Sequence, residues 1–359
     1  MYKGFIAQGS SAKLRLNGKN RSKMARLLKT AGPGSATITL DSIVDWKAGE
    51  TIGIAPTGYY AFENERIKIK SITNNVIQLE QPLKYSHLGN AIDKFQGQTR
   101  EFVLNPSAEV VLLSRNILIQ ADELYSQLAS EQEGSDPGGH VMIHPGGKAY
   151  INSVEFYKMG QAGIFGRYPF HWHNLGDISG QFISNSSVHY SFQRCITIHG
   201  TSSTLVENNV CQDFRGHGLF LEDGNEINDE IKGNILIGAL YPHDTKHILR
   251  SDFRGVNTSK DRFPSVSSFW ISNPNNSVYN NIAAGSVGTG FWNSFEGDIV
   301  KINTKRFSDN TAHGALVGIT WDGARGNSPI EASISFNNPD DKITDSAHYN
   351  PPTHPYLKI

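Results

Sequence analysis

NNVCQDFRGHGLFLE, residues 208–222, and NNIAAGSVGTGFWNS, residues 280–294, share an asparagine pair, a β-branched residue after it, and glycines at matching offsets: Gly216 with Gly288, Gly218 with Gly290. DNTAHGALVGITW at 309–321 superposes on the second stretch, with Asn310 on Asn281, Gly314 on Gly285 and Trp321 on Trp292. SSVHYSFQRCITIHG begins at Ser186, one period of about 22 residues before Asn208. Short runs at irregular periods in the twenties, with asparagine at the bends, point to coils of a parallel β-helix. No such coil buries its apolar side until its neighbours stack on it. A sandwich of hairpins would place two-residue turn signals between the runs, and these are sparse.

Alternate side chains of a strand face opposite sides. In FHWH (170–173) the inward pair is Phe170 and Trp172, leaving His171 and His173 outside; in ITIH (196–199) Thr197 and His199 face out. LFLE (219–222) presents Phe220 and Glu222, and in FWN (291–293) Trp292 takes the inward place and Asn293 the outward one. Stacking then builds an external column of His173, His199, Glu222 and Asn293, with neighbours about 4.8 Å apart and His171 about 6.6 Å along its own strand. Imidazoles with a carboxylate suit a divalent metal, so His171, His173, His199 and Glu222 are the candidate ligands, for zinc, nickel, iron, manganese or calcium. Three protein ligands leave a position open for water or substrate.

The same column suits acid–base work without a metal, with Glu222 and Asp223 beside the histidines on either side of a glycosidic bond. His217, flanked by glycines that let a ligand approach, and Arg194 are counted with them as candidate catalytic residues. Arg167, Arg194 and Arg215 precede or lie within the strands of this face and can grip a carboxylate bidentately. Arg167, Arg215 and Asn293 are therefore the candidate substrate-binding residues. The alternative role for such arginines is to bridge carbonyls at coil corners, and for His217 to satisfy a carbonyl at a bend. Trp270, Trp292 and Trp321 read as inward members of a core stack.

The chain has 359 residues, enough for one elongated repeat domain with an appendage. Its 33 Lys and Arg nearly balance 34 Asp and Glu, so no global field favours nucleic acid or an acidic membrane surface. No window approaches a membrane span, and the opening MYKGFIAQGS has no apolar stretch of signal-peptide length. Cys195 and Cys211 allow one bridge or two free thiols. Before residue 100 the texture differs: SATITL, DWKAGETIGIAP and RIKIKSITNNVIQLEQPL read as short strands and turns of a compact β module, the last with an Asn-Asn hairpin turn. The expected division is a β module over 1–100, a parallel β-helix over 101–335 and a tail over 336–359, with a polar acidic loop or short helix at 123–139.

Several of these stretches occur in the same order in a known family. GRYPFHWHNLGD, SFQRCITIHGT, GHGLFLEDGNE, FWISNPNNSVYNNIAAGSVGTGFW and FSDNTAH closely resemble the cell-migration-inducing hyaluronan depolymerases, their membrane-anchored relatives and the fibrocystin-like proteins. The earlier LRLNGK, SATITLDSIVDWKAGETIGIAPT and IQLEQPLKYSHLG resemble the later part of their eight-glycine domain and the segment after it. The resemblance implies an all-β, right-handed parallel β-helix with an N-terminal β module, located outside the cell or at its surface, handling hyaluronan or a related uronate-containing polysaccharide. His171, His173, His199, His217, Glu222 and Asp223 fall on matching motif positions. It leaves hydrolysis and β-elimination open. The alternative it carries is a non-catalytic glycan-binding or adhesion protein of the fibrocystin-like kind, and a third reading is a solenoid whose histidines bind metal for stability alone.

Overall fold

The computed structural model describes residues 4–96, 101–121, 138–254, 263–264, 266–295, 304–321 and 357–358. Of the acidic stretch expected at 123–139, residues 123–137 lie outside them, as does the tail over 336–359 apart from the short strand Leu357–Lys358. Among the described residues the secondary structure is strand and 3-10 turn, without α-helix.

The chain winds as a three-faced parallel β-helix. One face stacks Gly4–Ala7, His140–Ile143, Phe170–Asp177, Ile196–Ser202, Leu219–Leu221 and Ser267–Ile271. A second stacks Lys13–Asn17, Lys148–Asn152, Phe182–Ser184, Leu205–Glu207, Glu230–Lys232, Ser277–Tyr279 and Arg306–Ser308. The third holds Ile117–Gln120, Val154–Tyr157, Ser187–Ser191, Val210–Arg215 and Ile235–Leu240. The long strands Ile282–Asn293 and Thr311–Trp321 run along the third face and bend onto the first.

Each face sends one or two apolar residues per rung inward. On the second face Leu16, Ile151, Ile183, Val206, Ile231, Val278 and Phe307 lie in register. On the third, Phe156, Val188, Cys211, Leu236, Ala283 and Ala312 do the same. These columns meet in one core, where each fully buried large side chain contributes about 1.5–3 kcal/mol. Cys195 and Cys211 are bridged inside that core, which settles the choice between a disulfide and free thiols.

The asparagines at the bends form a ladder. Asn209, Asn234, Asn281 and Asn310 are buried, and each follows a residue of positive φ, namely Asn208, Gly233, Asn280 and Asp309. The side-chain oxygen of each of Asn234, Asn281 and Asn310 accepts the backbone N–H of the asparagine one coil earlier, at 2.9–3.1 Å. Each Nδ2 donates to a carbonyl of the preceding coil: Ile183, Val206, Ile231 or Val278. Backbone groups that a sharp corner would strand are thereby satisfied. The pairing of Asn310 with Asn281 is the one expected from the repeats; Ser186 matches Asn209, one place later than the alignment on Asn208.

The β module differs from the expected 1–100 unit. Gly4–Ala7 and Lys13–Asn17 pair in parallel with His140–Ile143 and Lys148–Asn152, so they are rungs of the solenoid. The module is an excursion between Lys13–Asn17 and Ile117–Gln120. Its antiparallel sheet runs Met24–Arg26, Glu109–Leu112, Thr51–Ile54, Glu65–Thr73, Val76–Leu79, Thr37–Thr39 around its own core, with Asn74 at φ 55° in the expected hairpin turn. Long-range pairing of this sort leaves no local signal.

The module sits on the outside of the third face. There Val210, Ile235, Ile237 and Ala284 pack against Ala55, Val111 and Leu113. A strand buried on both sides loses alternation, which explains the unbroken run ILIGAL at 235–240. Gly285, at φ 85°, lies where a Cβ would meet Pro56 Cγ of the module at 2.6 Å. Polar ties complete the seam: Gln212 donates to Asn64 Oδ1 and the Glu65 carbonyl, and buried Glu109 pairs with Arg26 and His313. Burial opposes the Glu109 charge, yet His313 and Arg26 outweigh it and hold the carboxyl down at about 2.

Candidate functional site

On the first face Phe170, Ile196, Leu219, Phe269 and Phe291 lie in register inside the core. His171, Thr197, Phe220, Trp270 and Trp292 therefore form one outward column, and His173 pairs with His199 in the next. The Glu222 N–H donates to the Ile198 carbonyl at 3.0 Å, extending that second column by one rung.

These side chains converge. His173 Nδ1 and His199 Nδ1 are 3.0 Å apart. Glu222 Oε2 lies 3.6 Å from His199 Nδ1 and 4.0 Å from His171 Nε2. One nitrogen from each of His171, His173 and His199 falls within 4.8 Å of the others. Outer partners fix two of the rings. His171 Nδ1 donates to the Gly166 carbonyl at 2.9 Å, so its buried Nε2 presents a lone pair to the cluster without a hydrogen-bond partner. His199 Nε2 donates to Asp223 Oδ2 at 2.8 Å, so its Nδ1 faces His173 and Glu222. His171 is fully buried, whereas His173 and His199 are half-buried and Asp223 is open to solvent.

The electrostatics follow from that gradient. Burial holds the His171 imidazole well below its ordinary value. His173 is lowered by burial first, then by His199 and His144. Burial pushes the Glu222 carboxyl up to about 7, although His199 and Arg194 pull the other way. His171 and His173 thus favour the neutral imidazole, which is the form that coordinates cations.

Three residues of the site escaped the sequence reading. His144 occupies the rung before His173, with ring centres 5.0 Å apart; the tetrad VMIH at 141–144 sits beside FHWH and carries the signal. Tyr168 is buried with its ring 4.9 Å from that of His171. Glu226 accepts the N–H groups of Gly200, Asp223 and Gly224, and so shapes the turn that positions Asp223.

The remaining expectations fare differently. Phe291 rather than Trp292 faces inward, its ring stacked on Phe269 at 4.4 Å. A one-residue slip reverses every side chain of a strand, so Asn293 falls in the inward register of Ile271, buried and bonded to the Thr320 carbonyl, away from the column. Trp270 and Trp292 are buried on the outer side with Phe220, not in the core stack, and Trp321 pairs with Asn293 after a register shift between Ser286 and Thr289.

His217 is fully buried against Trp270, with its ring nitrogens on Ser267 Oγ and the Ser251 carbonyl. Arg194 is fully buried too, its guanidinium 2.5 Å from Asp252 Oδ1, 2.7 Å from Ser251 Oγ and over the Phe220 ring. Both lie on the outer side of the first face, Arg194 over Phe220 and His217 against Phe220 and Trp270, where the segment around Ser251 and Asp252 covers them. Arg215 pairs with Asp213 and His243 at a corner of the third face. Arg167 donates to Gln161 Oε1 in the loop before Phe170. None of the three arginines is in the histidine cluster.

The CEMIP beta-helix family model matches residues 136–320 of this chain. Mouse fibrocystin-L is 33% identical over 335 residues, covering 80% of this chain and 8% of that protein. Human cell surface hyaluronidase CEMIP2 is 32% identical over 281 residues, covering 71% and 20%, and the human cell migration-inducing and hyaluronan-binding protein is 32% identical over 279 residues, covering 70% and 20%. The chain therefore spans less than a third of each of these relatives. Among solved structures, the tailspike protein gp49 of Pseudomonas phage LKA1 aligns at 10% identity over 89% of this chain and 47% of that one, with a TM-score of 0.24, a likeness that adds nothing to the argument.

Proposed function

The chain belongs to the CEMIP beta-helix family, and we propose that it degrades hyaluronan or a related uronate-containing polysaccharide outside the cell, with a divalent cation held on its histidine face. The observation that carries this reading is that one nitrogen from each of His171, His173 and His199 lies within 4.8 Å of the others, with the His171 and His199 rings aimed by outer partners, Gly166 and Asp223. Such partners fix ring tautomers at metal sites. The relatives named as hyaluronidase and as hyaluronan-binding support the substrate class, and the buried disulfide is in keeping with an oxidising compartment.

The three imidazoles would hold the ion, and three protein ligands leave a position free. A cation held there would supply Lewis acidity toward a uronate carboxylate or a bridging oxygen. Glu222, whose buried carboxyl is pushed up to about 7, would hold a proton near neutral pH and pass it to or from the sugar. Asp223 holds His199 in orientation. The half-buried rims of His173 and His199 are the parts that an extended polymer lying across the rungs would reach. Hydrolysis would give new reducing ends, and elimination an unsaturated product that absorbs in the ultraviolet.

The test is metal analysis of the purified protein, together with size-exclusion chromatography of hyaluronan after incubation, with and without EDTA. Joint His173→Ala and His199→Ala substitution should abolish polymer breakdown while the circular dichroism spectrum persists. Undiminished cleavage refutes the assignment. Retained hyaluronan binding without chain shortening in the unaltered protein selects the adhesion reading instead.

A further inference from the structure

An acidic polymer needs cations that the fold leaves open, and Arg167, Arg194 and Arg215 are each engaged by side chains of the protein. Three other cations are open. Lys13, Arg15 and Lys148 are exposed on the outer side of the second face, and among the described residues none of them is in an ion pair. Lys13 and Lys148 are register partners on adjacent rungs, which sets their strands about 4.8 Å apart. Like charges directly opposite each other destabilise a sheet. Arg15 and Tyr150, the next outward residues on the same two strands, are also register partners, with the guanidinium 4.7 Å from the ring centre.

Lys148 and Tyr150 line a polar cleft of about 370 Å3 at the corner between the second face and the first, together with Gly146, Leu175, Asp177 and Gln181 among others. Its size falls within the range of small-ligand sites, about 300–1,000 Å3. Its walls continue from the histidine cluster. His173 lies on the strand Phe170–Asp177, which goes on to Leu175 and Asp177, and His144 is followed by Gly146 and Lys148. The two imidazole rings are 5.0 Å apart, and Leu175 is about 6.6 Å along the strand from His173. Asp177 is exposed, and its oxygens accept the Ser179 and Ser203 hydroxyls. A carboxylate has room for further donors, so Asp177 suits sugar hydroxyls and disfavours a densely charged polyanion.

We propose that this cleft is the uronate subsite of a carboxylated polysaccharide, with Lys13 and Lys148 sharing the sugar carboxylate, Arg15 adding positive charge beside them, and Asp177 accepting hydroxyl hydrogens. The inference rests on the reading that the polymer is held at the histidine cluster, from which a neighbouring sugar reaches the corner. It moves recognition of the uronate from the arginines expected to grip it to lysines on the next face.

The test titrates a hyaluronan decasaccharide into the His173→Ala/His199→Ala protein by calorimetry, beside the same oligosaccharide with its carboxylates reduced to alcohols. Saturable binding of the acidic form that weakens as salt rises, falls about tenfold or more with joint Lys13→Gln and Lys148→Gln, and returns with Lys13→Arg and Lys148→Arg supports the subsite. Absence of binding, equal affinity for the reduced form, or indifference to the glutamine pair overturns it. Tighter binding of heparin or duplex DNA, lost with the same glutamine pair, also overturns it and marks a general polyanion patch. The reduced sugar and the salt series leave the cleft unaltered, so they decide the matter should the glutamine pair fail to fold. Intact polymer in the cleavage assay alongside a positive titration removes the degradation reading and leaves the subsite standing; polymer breakdown alongside a negative titration does the reverse.

Discussion

Asn234→Ala tests whether the corner ladder holds the coils together. Asn234 is fully buried; its Oδ1 accepts both the backbone N–H and the Nδ2 of Asn209, and its Nδ2 donates to the Val206 carbonyl and to Asn281 Oδ1. Truncation strands the Asn209 N–H in the core, at about 1–3 kcal/mol, and removes three further bonds that contribute about 0.5–1.5 kcal/mol each. The expected loss is about 2.5–7.5 kcal/mol, read as a lower urea midpoint at unchanged slope, with tryptophan fluorescence as the probe. Asn234→Asp preserves volume and one acceptor but turns an oxygen toward two other acceptors, so it should also destabilise. Asn310→Ala should cost less, because among the described residues the Asn310 Nδ2 donates to the Val278 carbonyl alone, whereas that of Asn234 also donates to Asn281 Oδ1. A loss below about 1 kcal/mol for Asn234→Ala, or an equal loss at Asn310, would refute the view that these bonds carry the corner.

Three further outcomes follow from the geometry. Burial raises the Asp229 carboxyl to about 7, so its ionisation is disfavoured in the folded state and stability should fall as pH climbs from about 4 through about 7; Asp229→Asn should flatten that slope and raise the melting temperature at pH 8, and an unchanged pH profile contradicts the burial argument. Replacing Cys195 and Cys211 together by alanine opens a link between residues 16 apart, which should lower stability by about 2–4 kcal/mol in urea; insensitivity of the native protein's unfolding to reductant would count against it. Asp223→Asn should weaken metal affinity about 10–100-fold in a chelator competition, since the acceptor that orients His199 loses its charge; unaltered affinity removes Asp223 from the positioning role.

Much of the first face could be read from residues alone, because period-two alternation is written in FHWH, ITIH and LFLE and the register follows it. The reading failed at Asn293, where the long strand Ile282–Asn293 crosses from one face to another and two adjacent aromatics, Phe291 and Trp292, both look fit for the core. Nothing in the sequence near Arg194 or His217 announces their burial. It comes from Ser251 and Asp252, 34 to 58 residues away. His144 shows the opposite failure, a signal present in VMIH but outside the repeats first aligned. The engagement of the module with the third face was likewise hidden, although the loss of alternation in ILIGAL is its local trace.

Because the module interrupts the first coil instead of preceding it, both of its ends are tied to neighbouring strands of one turn. An expression boundary drawn at residue 100 would not release a clean solenoid: it would strip the partners of His140–Ile143 and Lys148–Asn152 and uncover the apolar flank under Val210 and Ile237. Bare parallel edges of that kind recruit other chains. Any dissection of this protein into parts therefore has to cut within the loop that leads out of the coil and rejoin it, treating the module as a bulge in a thread and not as its head.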